Sequence, residues 1–310
     1  MKKVFAIFSL ITTFSCTKVI DLNIPDEAPK LVVNAPFSPD STWKILVGKT
    51  GPSVGIVSPI TSIANASINL QENGTPLTGW VVEKELSFGG GWNPNPDTLY
   101  YFTLPGKKPV VGAAYQLEVS APNTVTATAS ANCIAPVPLK NVVHSSQVYM
   151  MDQEFYDECT FEISDPSGGN DYYQIQLLML DSFSPFPELR GYPFYCNDVI
   201  INEFTDKGTF GPQRTSLGFQ LDEPFFSDAF FDGQTRSFKI HFPSYYLTIS
   251  SEIQFVLVRY SKELFQHERS LRMQFDVGNN PFSEPVRIIS NIQNGVGIFG
   301  SKTKDIHVIK

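Results

Sequence analysis

Apolar and polar positions alternate with a period of two through most of the chain, the pattern of strands with one face buried. Lys30 to Asn34 and Thr42 to Val47 predict the first two strands. Ala66, Ile68 and Leu70 alternate with Ser67, Asn69 and Gln71 and run into Asn73-Gly74, a pair suited to both left-handed positions of a tight hairpin turn. Tyr100 to Leu104, then Tyr115, Leu117 and Val119, keep the same period, and Val125 to Ala131 closes the set. Six or seven short strands over about 100 residues predict an immunoglobulin-like β-sandwich. Trp43, Ile45, Ile68, Leu70, Leu117 and Val119 would fill its inner faces.

Two prolines in Ile134 to Leu139 mark a stiff junction. Beyond it, Cys159, Phe161 and Ile163 alternate. Asp165 to Asn170 reads as a turn, and Tyr173, Ile175, Leu177 and Met179 alternate back, which predicts a hairpin. Phe238, Ile240 and Phe242 mark a further strand, and Ile253 to Tyr260 reads as a strand buried on both faces. Ser261 to Phe275 has helical spacing, with Ser261 as cap and Leu264, Phe265, Leu271 and Phe275 on one side. Val286 to Ile289 predicts one more short strand. The fold class expected is mostly β: a signal over residues 1–15, a tether over 16–29, an immunoglobulin-like sandwich over 30–136, and a β-rich, sandwich-like domain with one short helix over 137–310. Two long Gly/Pro-rich loops, Gly51 to Ile63 and Phe88 to Asp97, interrupt the first domain.

The N-terminus sets the expected compartment. Lys2 and Lys3 precede an apolar stretch, Val4 to Phe14, too short to span a bilayer. It closes at Ser15-Cys16, which resembles the bacterial lipoprotein signal, in which the cysteine is acylated after cleavage; Thr13 stands where that signal usually has Leu. Acyl chains on Cys16 would anchor the chain to a membrane, at about 0.8 kcal/mol per buried CH₂.

Composition supports a folded, exported β protein. Charged residues are only 17%, while 25 Phe, 12 Tyr, 21 Gly and 23 Pro favour strands and turns. The net charge of −8, more negative once Lys2 and Lys3 leave with the signal, excludes a nucleic-acid partner. With Cys16 lipidated, Cys133, Cys159 and Cys196 remain, and Cys159–Cys196 is one candidate disulfide of three pairs.

Candidate chemistry is sparse, and neither a cofactor nor a metal is expected. Gly295-x-Gly297-x-x-Gly300 matches a dinucleotide fingerprint literally, but too little chain follows for the helix and the acidic residue such a site requires. Tight turns and close backbone packing account for these glycines better. His144, His241, His267 and His307 never approach a metal-ligand spacing. Asp152, Glu154, Asp157 and Glu158 form one acidic cluster, and Asp222, Glu223, Asp228 and Asp232 another. The run from Asp228 to Gly233 lacks the alternating ligands of a calcium loop, so a turn with solvated acids is expected there. Trp92 is either a ligand contact or a residue folded onto the sandwich edge. Of the aromatic runs, Phe183 to Tyr195 is kept as an interface candidate, through Phe183, Phe186, Tyr192, Phe194 and Tyr195.

Asn280-Pro-Phe-Ser-Glu-Pro-Val286 and Ser290-Asn-Ile-Gln-Asn-Gly-Val-Gly-Ile-Phe-Gly300 resemble the closing signature of a Bacteroidota lipoprotein family known only as domain of unknown function 4249. Phe226-Ser-Asp-Ala-Phe-Phe-Asp-Gly-Gln234 is similar to its internal D-x-x-F-x-G-Q segment. Cys16-x-x-Val-Ile-Asp-Leu22 followed by Pro29-Lys-Leu-Val-Val33 is similar to its opening. The resemblance implies an outer-membrane lipoprotein, often encoded beside a TonB-dependent transporter, with no established activity and no catalytic residues to carry over. The function expected is a non-enzymatic binding or accessory module tethered at Cys16, on a periplasmic or cell-surface face. The alternatives are a surface hydrolase on peptide or glycan and a structural or adhesion component of the envelope.

Overall fold

Alternation becomes strand wherever an apolar row finds a second layer to cover it. The structure, a computed structural model, describes residues 28–51, 61–87, 97–180, 188–201, 214–278, 284 and 286–310. Cys16, with the signal and most of the tether, and Trp92, Phe183 and Phe186 lie outside the described residues.

The first part of the chain forms β1 (Leu31–Phe37), β2 (Trp43–Lys49), β3 (Thr61–Ser62), β4 (Ser67–Glu72), β5 (Thr75–Leu77), β6 (Val81–Ser87), β7 (Asp97–Leu104), β8 (Ala114–Ser120) and β9 (Ala127–Asn132). Next come β10 (Leu139–Met151), β11 (Glu154–Ser164), β12 (Tyr172–Leu180), β13 (Leu189–Tyr192), β14 (Phe194–Cys196), β15 (Arg214–Thr215), β16 (Gly218–Leu221), β17 (Phe225–Ser227) and β18 (Thr235–Pro243). The chain ends with α1 (Tyr246–Ile249), β19 (Ile253–Tyr260), α2 (Lys262–Gly278) and β20 (Gly295–Val308). The fold is mostly β. Among the described residues no helix is long and apolar enough to cross a membrane.

Among the described residues these strands form three sheets. One runs β13-β12-β19-β20-β1-β2-β7-β6, with β17 also on β12 and β3 on β2; the second runs β10-β11-β18-β14-β16-β15; the third runs β5-β4-β8-β9. Asn73 (φ 49°) and Gly74 (φ 82°) take the two left-handed positions of the turn between β4 and β5, as their identities predict. Trp43, Ile45, Leu70, Leu117 and Val119 are buried in one core between the third sheet and the β1–β2–β7 side of the first, with Ile68 packed against it. Phe37, Trp43, Tyr115 and Phe299 form an aromatic knot there, with Phe37–Trp43 centroids 4.7 Å apart. A second core lies between the six-stranded sheet and the β12–β19 side, around Phe161, Tyr173, Phe194, Phe226, Phe238 and Phe255.

The last strand links the two sides of the ten-stranded sheet. Its first half pairs parallel with β1, from Leu31↔Gly295 to Phe37↔Ser301, and its second half pairs antiparallel with β19, from Tyr260↔Lys302 to Gln254↔Val308. Phe299 thereby completes the N-terminal core from the far end of the sequence, together with Ile292 just before the strand.

The predicted double burial of Ile253 to Tyr260 has a direct cause. Phe255 and Leu257 face the C-terminal core, while Val256 and Val258 face Leu264 and Phe265 of α2. The helix itself departs from the expected pattern. Leu264 and Phe265 are buried, but Leu271 and Phe275 are exposed, because burial along α2 ends at Ser270. Ser261 caps nothing with its side chain: its hydroxyl is buried without a hydrogen-bond partner, and its carbonyl accepts from Phe265 N at 2.9 Å.

Two further expectations are corrected. Residues 286–289 form no strand; this stretch is held by Ile289 N donating to Ser270 Oγ at 3.0 Å, with the Ile289 carbonyl 2.6 Å from His267 Nδ1. The predicted hairpin around Asp165 to Asn170 does not form either. β11 pairs with β10 and β18, whereas β12 pairs with β13, β17 and β19, so the loop carries the chain from one sheet to the facing one. The two alternating rows meet across the core rather than side by side.

Candidate functional site

The outer face of the four-stranded sheet carries a cleft of about 450 Å³. The pleat explains its polarity. In β8, Tyr115, Leu117 and Val119 point inward, which turns Gln116 and Glu118 outward. The register then builds two cross-strand polar rows, Asn69–Glu118–Thr128 and Gln71–Gln116–Ser130. One wall is the segment at Asn291 and Gln293, bonded through its backbone to β9: Thr128 N to Gln293 O at 3.1 Å and Gln293 N to Thr128 O at 2.8 Å. Glu263 of α2 also lines the cleft. Primary amides and hydroxyls both donate and accept, so the lining suits a polar ligand rich in hydroxyl or amide groups. None of these residues was singled out from the sequence as a site. The signal was present as amide and hydroxyl side chains at the outward positions of adjoining strands.

The aromatic interface candidate fares differently. Phe194 is fully buried in the C-terminal core and offers no contact to a partner. Tyr192 is half-buried with its ring edge-on to Tyr246 at 5.5 Å, and Tyr195 is half-buried edge-on to Tyr156 at 5.5 Å. These rings serve packing, as large side chains in a β core do.

The candidate disulfide is also absent. Cys133, Cys159 and Cys196 are buried, and no two of them are joined to each other. Cys159 on β11 and Cys196 on β14 flank β18 from opposite sides, placing them two strand spacings apart, roughly 9–10 Å, beyond disulfide reach. Burial pushes the Cys133 thiol up to about 11 and those of Cys159 and Cys196 to about 12.

Two acidic groupings are more than solvated turns. Asp157, fully buried, lies 2.6 Å from His144 Nε2 and accepts from Gln147 N at 2.9 Å and from the Ser244 hydroxyl. Serine, histidine and aspartate therefore meet, but in the wrong order for acyl transfer: the serine proton points at the carboxylate rather than at the imidazole. The second grouping joins Asp165, Asp228 and Asp232, each with a carboxylate oxygen within 4.8 Å of the others. Tyr173 donates its hydroxyl to Asp165 Oδ1 at 2.5 Å, and Gly233 N donates to Asp165 Oδ2 at 3.0 Å. Gly168 N donates to Asp232 Oδ1 at 3.2 Å. Asp228 was expected in solvent but is 0% exposed, and among the described residues neither of its carboxylate oxygens makes a hydrogen bond of ordinary geometry. Burial lifts its pKa to about 6 and also raises that of Asp165.

A family model described as domain of unknown function (DUF4249) matches residues 17–305. The chain belongs to the DUF4249 family. No curated protein matches it. In this DUF4249 chain the closing signature has a structural task. Asn291 acts as a surrogate strand: its Nδ2 donates to Phe299 O at 2.7 Å and its Oδ1 accepts from Phe299 N at 2.9 Å. Ser290 Oγ accepts from Gly297 N at 3.1 Å. The three glycines of the G-x-G-x-x-G run lie on β20 and allow close approach. A Cβ at Gly295 would sit 2.8 Å from Leu31 O, and one at Gly300 would sit 2.8 Å from Leu264 Cβ. The fingerprint thus packs a strand against its neighbours.

Proposed function

We propose that this chain is an envelope lipoprotein that works as a non-enzymatic binding module. In this reading, acyl chains on Cys16 hold it at the outer membrane, and residues 16–29 tether the folded part. That part would act as an accessory to a TonB-dependent transporter. The observation that carries the binding role is the cleft on the four-stranded sheet. Its floor is two registered rows of amide, hydroxyl and carboxylate side chains, including Asn69, Gln71, Gln116 and Ser130, suited to a hydroxyl- or amide-rich ligand such as a glycan or an extended peptide. The immunoglobulin-like plan of the N-terminal half belongs to the same proposal; two facing layers around Trp43 support it.

The hydrolase reading finds less support. Its Ser244–His144–Asp157 grouping joins the serine hydroxyl to the aspartate rather than to the imidazole, which does not set that serine up as a nucleophile. The native full-length chain, purified from mild-detergent extracts, should bring a transporter with it; recovery as a lone monomer would refute the accessory role. Cys16→Ala should release the protein from the outer-membrane fraction, and unchanged membrane association would rule out the lipid anchor.

A further inference from the structure

We propose that Asp165, Asp228 and Asp232 bind a calcium ion that staples together two connections between the facing sheets of the C-terminal half. The placement comes from topology. The loop holding Asp165 leaves β11 in the six-stranded sheet for β12 in the ten-stranded one. The loop holding Asp228 and Asp232 leaves β17, paired to β12, and returns to β18 in the six-stranded sheet. The two connections meet side by side: Asp228 N donates to Asp171 O at 3.1 Å, and Gly233 N donates to Asp165. Gly233 (φ 69°) makes the approach feasible, since a Cβ there would lie 2.8 Å from Ser167 Cβ.

Acidic clusters are common without an ion. This one differs because Asp228 is fully buried, directs a carboxylate into the cluster, and among the described residues makes no hydrogen bond of ordinary geometry through either oxygen. A buried, unpartnered carboxylate is among the most unfavourable groups a fold can hold, and a bound cation removes that penalty. Protein cations nearby do not. Arg259 is committed to Asp171, with Nη2 2.7 Å from both carboxylate oxygens, and its Nη1 donates to Ala135 O at 3.0 Å. The donors that reach Asp165 and Asp232 leave further lone pairs on each carboxylate free for an ion.

The ligand chemistry selects the ion. All donors are carboxylate oxygens, with neither His nor Cys, which favours a hard cation over zinc. Calcium–oxygen bonds of about 2.3–2.6 Å let two ligands of one ion stand about 5 Å apart, and the cluster's oxygens lie within 4.8 Å of one another. Water fills the remaining positions on the side of the exposed Asp232, and calcium's flexible geometry tolerates three unevenly placed carboxylates where magnesium demands a near-ideal octahedron.

The test uses the intact chain, stripped with a chelator and melted in metal-free buffer, in 10 mM calcium chloride and in 10 mM magnesium chloride. Calcium should raise the melting temperature by about 3–10 °C, as expected for an extracellular-type site of submillimolar to millimolar affinity. Magnesium should give a clearly smaller rise. Asp232→Asn, at the exposed ligand, should keep the native circular dichroism and lose most of the calcium response. Asp228→Asn should lose it entirely, and the Asp232 variant decides the matter if the Asp228 variant does not fold. A wild-type melting temperature indifferent to calcium, an equal rise with magnesium, or a full calcium response in the folded Asp232→Asn variant would each overturn the proposal.

Discussion

Gly297→Ala should be among the most damaging single-methyl additions in this protein. Gly297 lies on β20 opposite Val33 of β1, with φ at 120°, a backbone conformation L residues rarely adopt. Holding alanine there costs about 1–3 kcal/mol. The added methyl would also overlap the Val33 carbonyl oxygen and stand 2.8 Å from its carbonyl carbon. Val33 is fully buried and paired to β2 on its other side, so β1 has nowhere to move. Overpacking of this kind adds about 1–3 kcal/mol, for a total of about 2–6 kcal/mol. That is a large share of the roughly 5–15 kcal/mol that holds a typical domain folded. Gly112→Ala is the control: φ is 82°, and nothing lies within 4 Å of the new methyl, so only the conformational term of about 1–2 kcal/mol remains. Urea titration followed by tryptophan fluorescence reads the difference, because Trp43 stacks on Phe299 two residues from Gly297, with centroids 6.3 Å apart. A Gly297→Ala loss within about 0.5 kcal/mol of the Gly112→Ala loss would show that β1 and β20 part easily, and the packing argument would fail.

Thiol chemistry and pH offer two simpler checks. Cys133, Cys159 and Cys196 should resist a thiol reagent in the folded chain and all react in denaturant, with melting unaffected by reductant; a deficit of two thiols in denaturant would restore a disulfide. Burial lowers the pKa of His241, against the opposing pull of Glu158 at 3.3 Å. The unfolded chain therefore binds more protons than the folded one just below the ordinary histidine value of about 6.5, so stability should fall as pH drops through that value. His241→Gln should flatten that limb of the profile, and an unchanged slope would mean that another group sets it.

Much of the architecture is legible because strand periodicity is local. Tyr115, Leu117 and Val119 declare an inner face by themselves, and Asn73-Gly74 declares its turn, since only a few residues tolerate two left-handed positions in succession. The double burial of β19 is equally visible as four apolar residues in a row, Phe255 to Val258. The candidate site is much less legible. Asp228 and Asp232 read as a solvated turn because their local sequence does not show that Asp228 is buried or that both lie beside Asp165, on a loop far earlier in the chain. The aromatic run ending at Tyr195 reads as a surface because its Pro and Gly spacing hides that Phe194 points into the core.

The sequence by itself determined the apolar face of the strongly alternating strands and that the chain belongs to a β-rich class. The tertiary structure decided which strand pairs with which. It sent β12 to the sheet facing β11, ran β20 through both halves, separated Cys159 from Cys196 by a strand, and brought the carboxylate of Asp165 to those of Asp228 and Asp232. The physical reason is that alternation specifies a face and not a neighbour. An apolar row is satisfied equally by any layer that covers it, so the choice of layer, and every polar group brought together by that choice, depends on the packing of the whole chain.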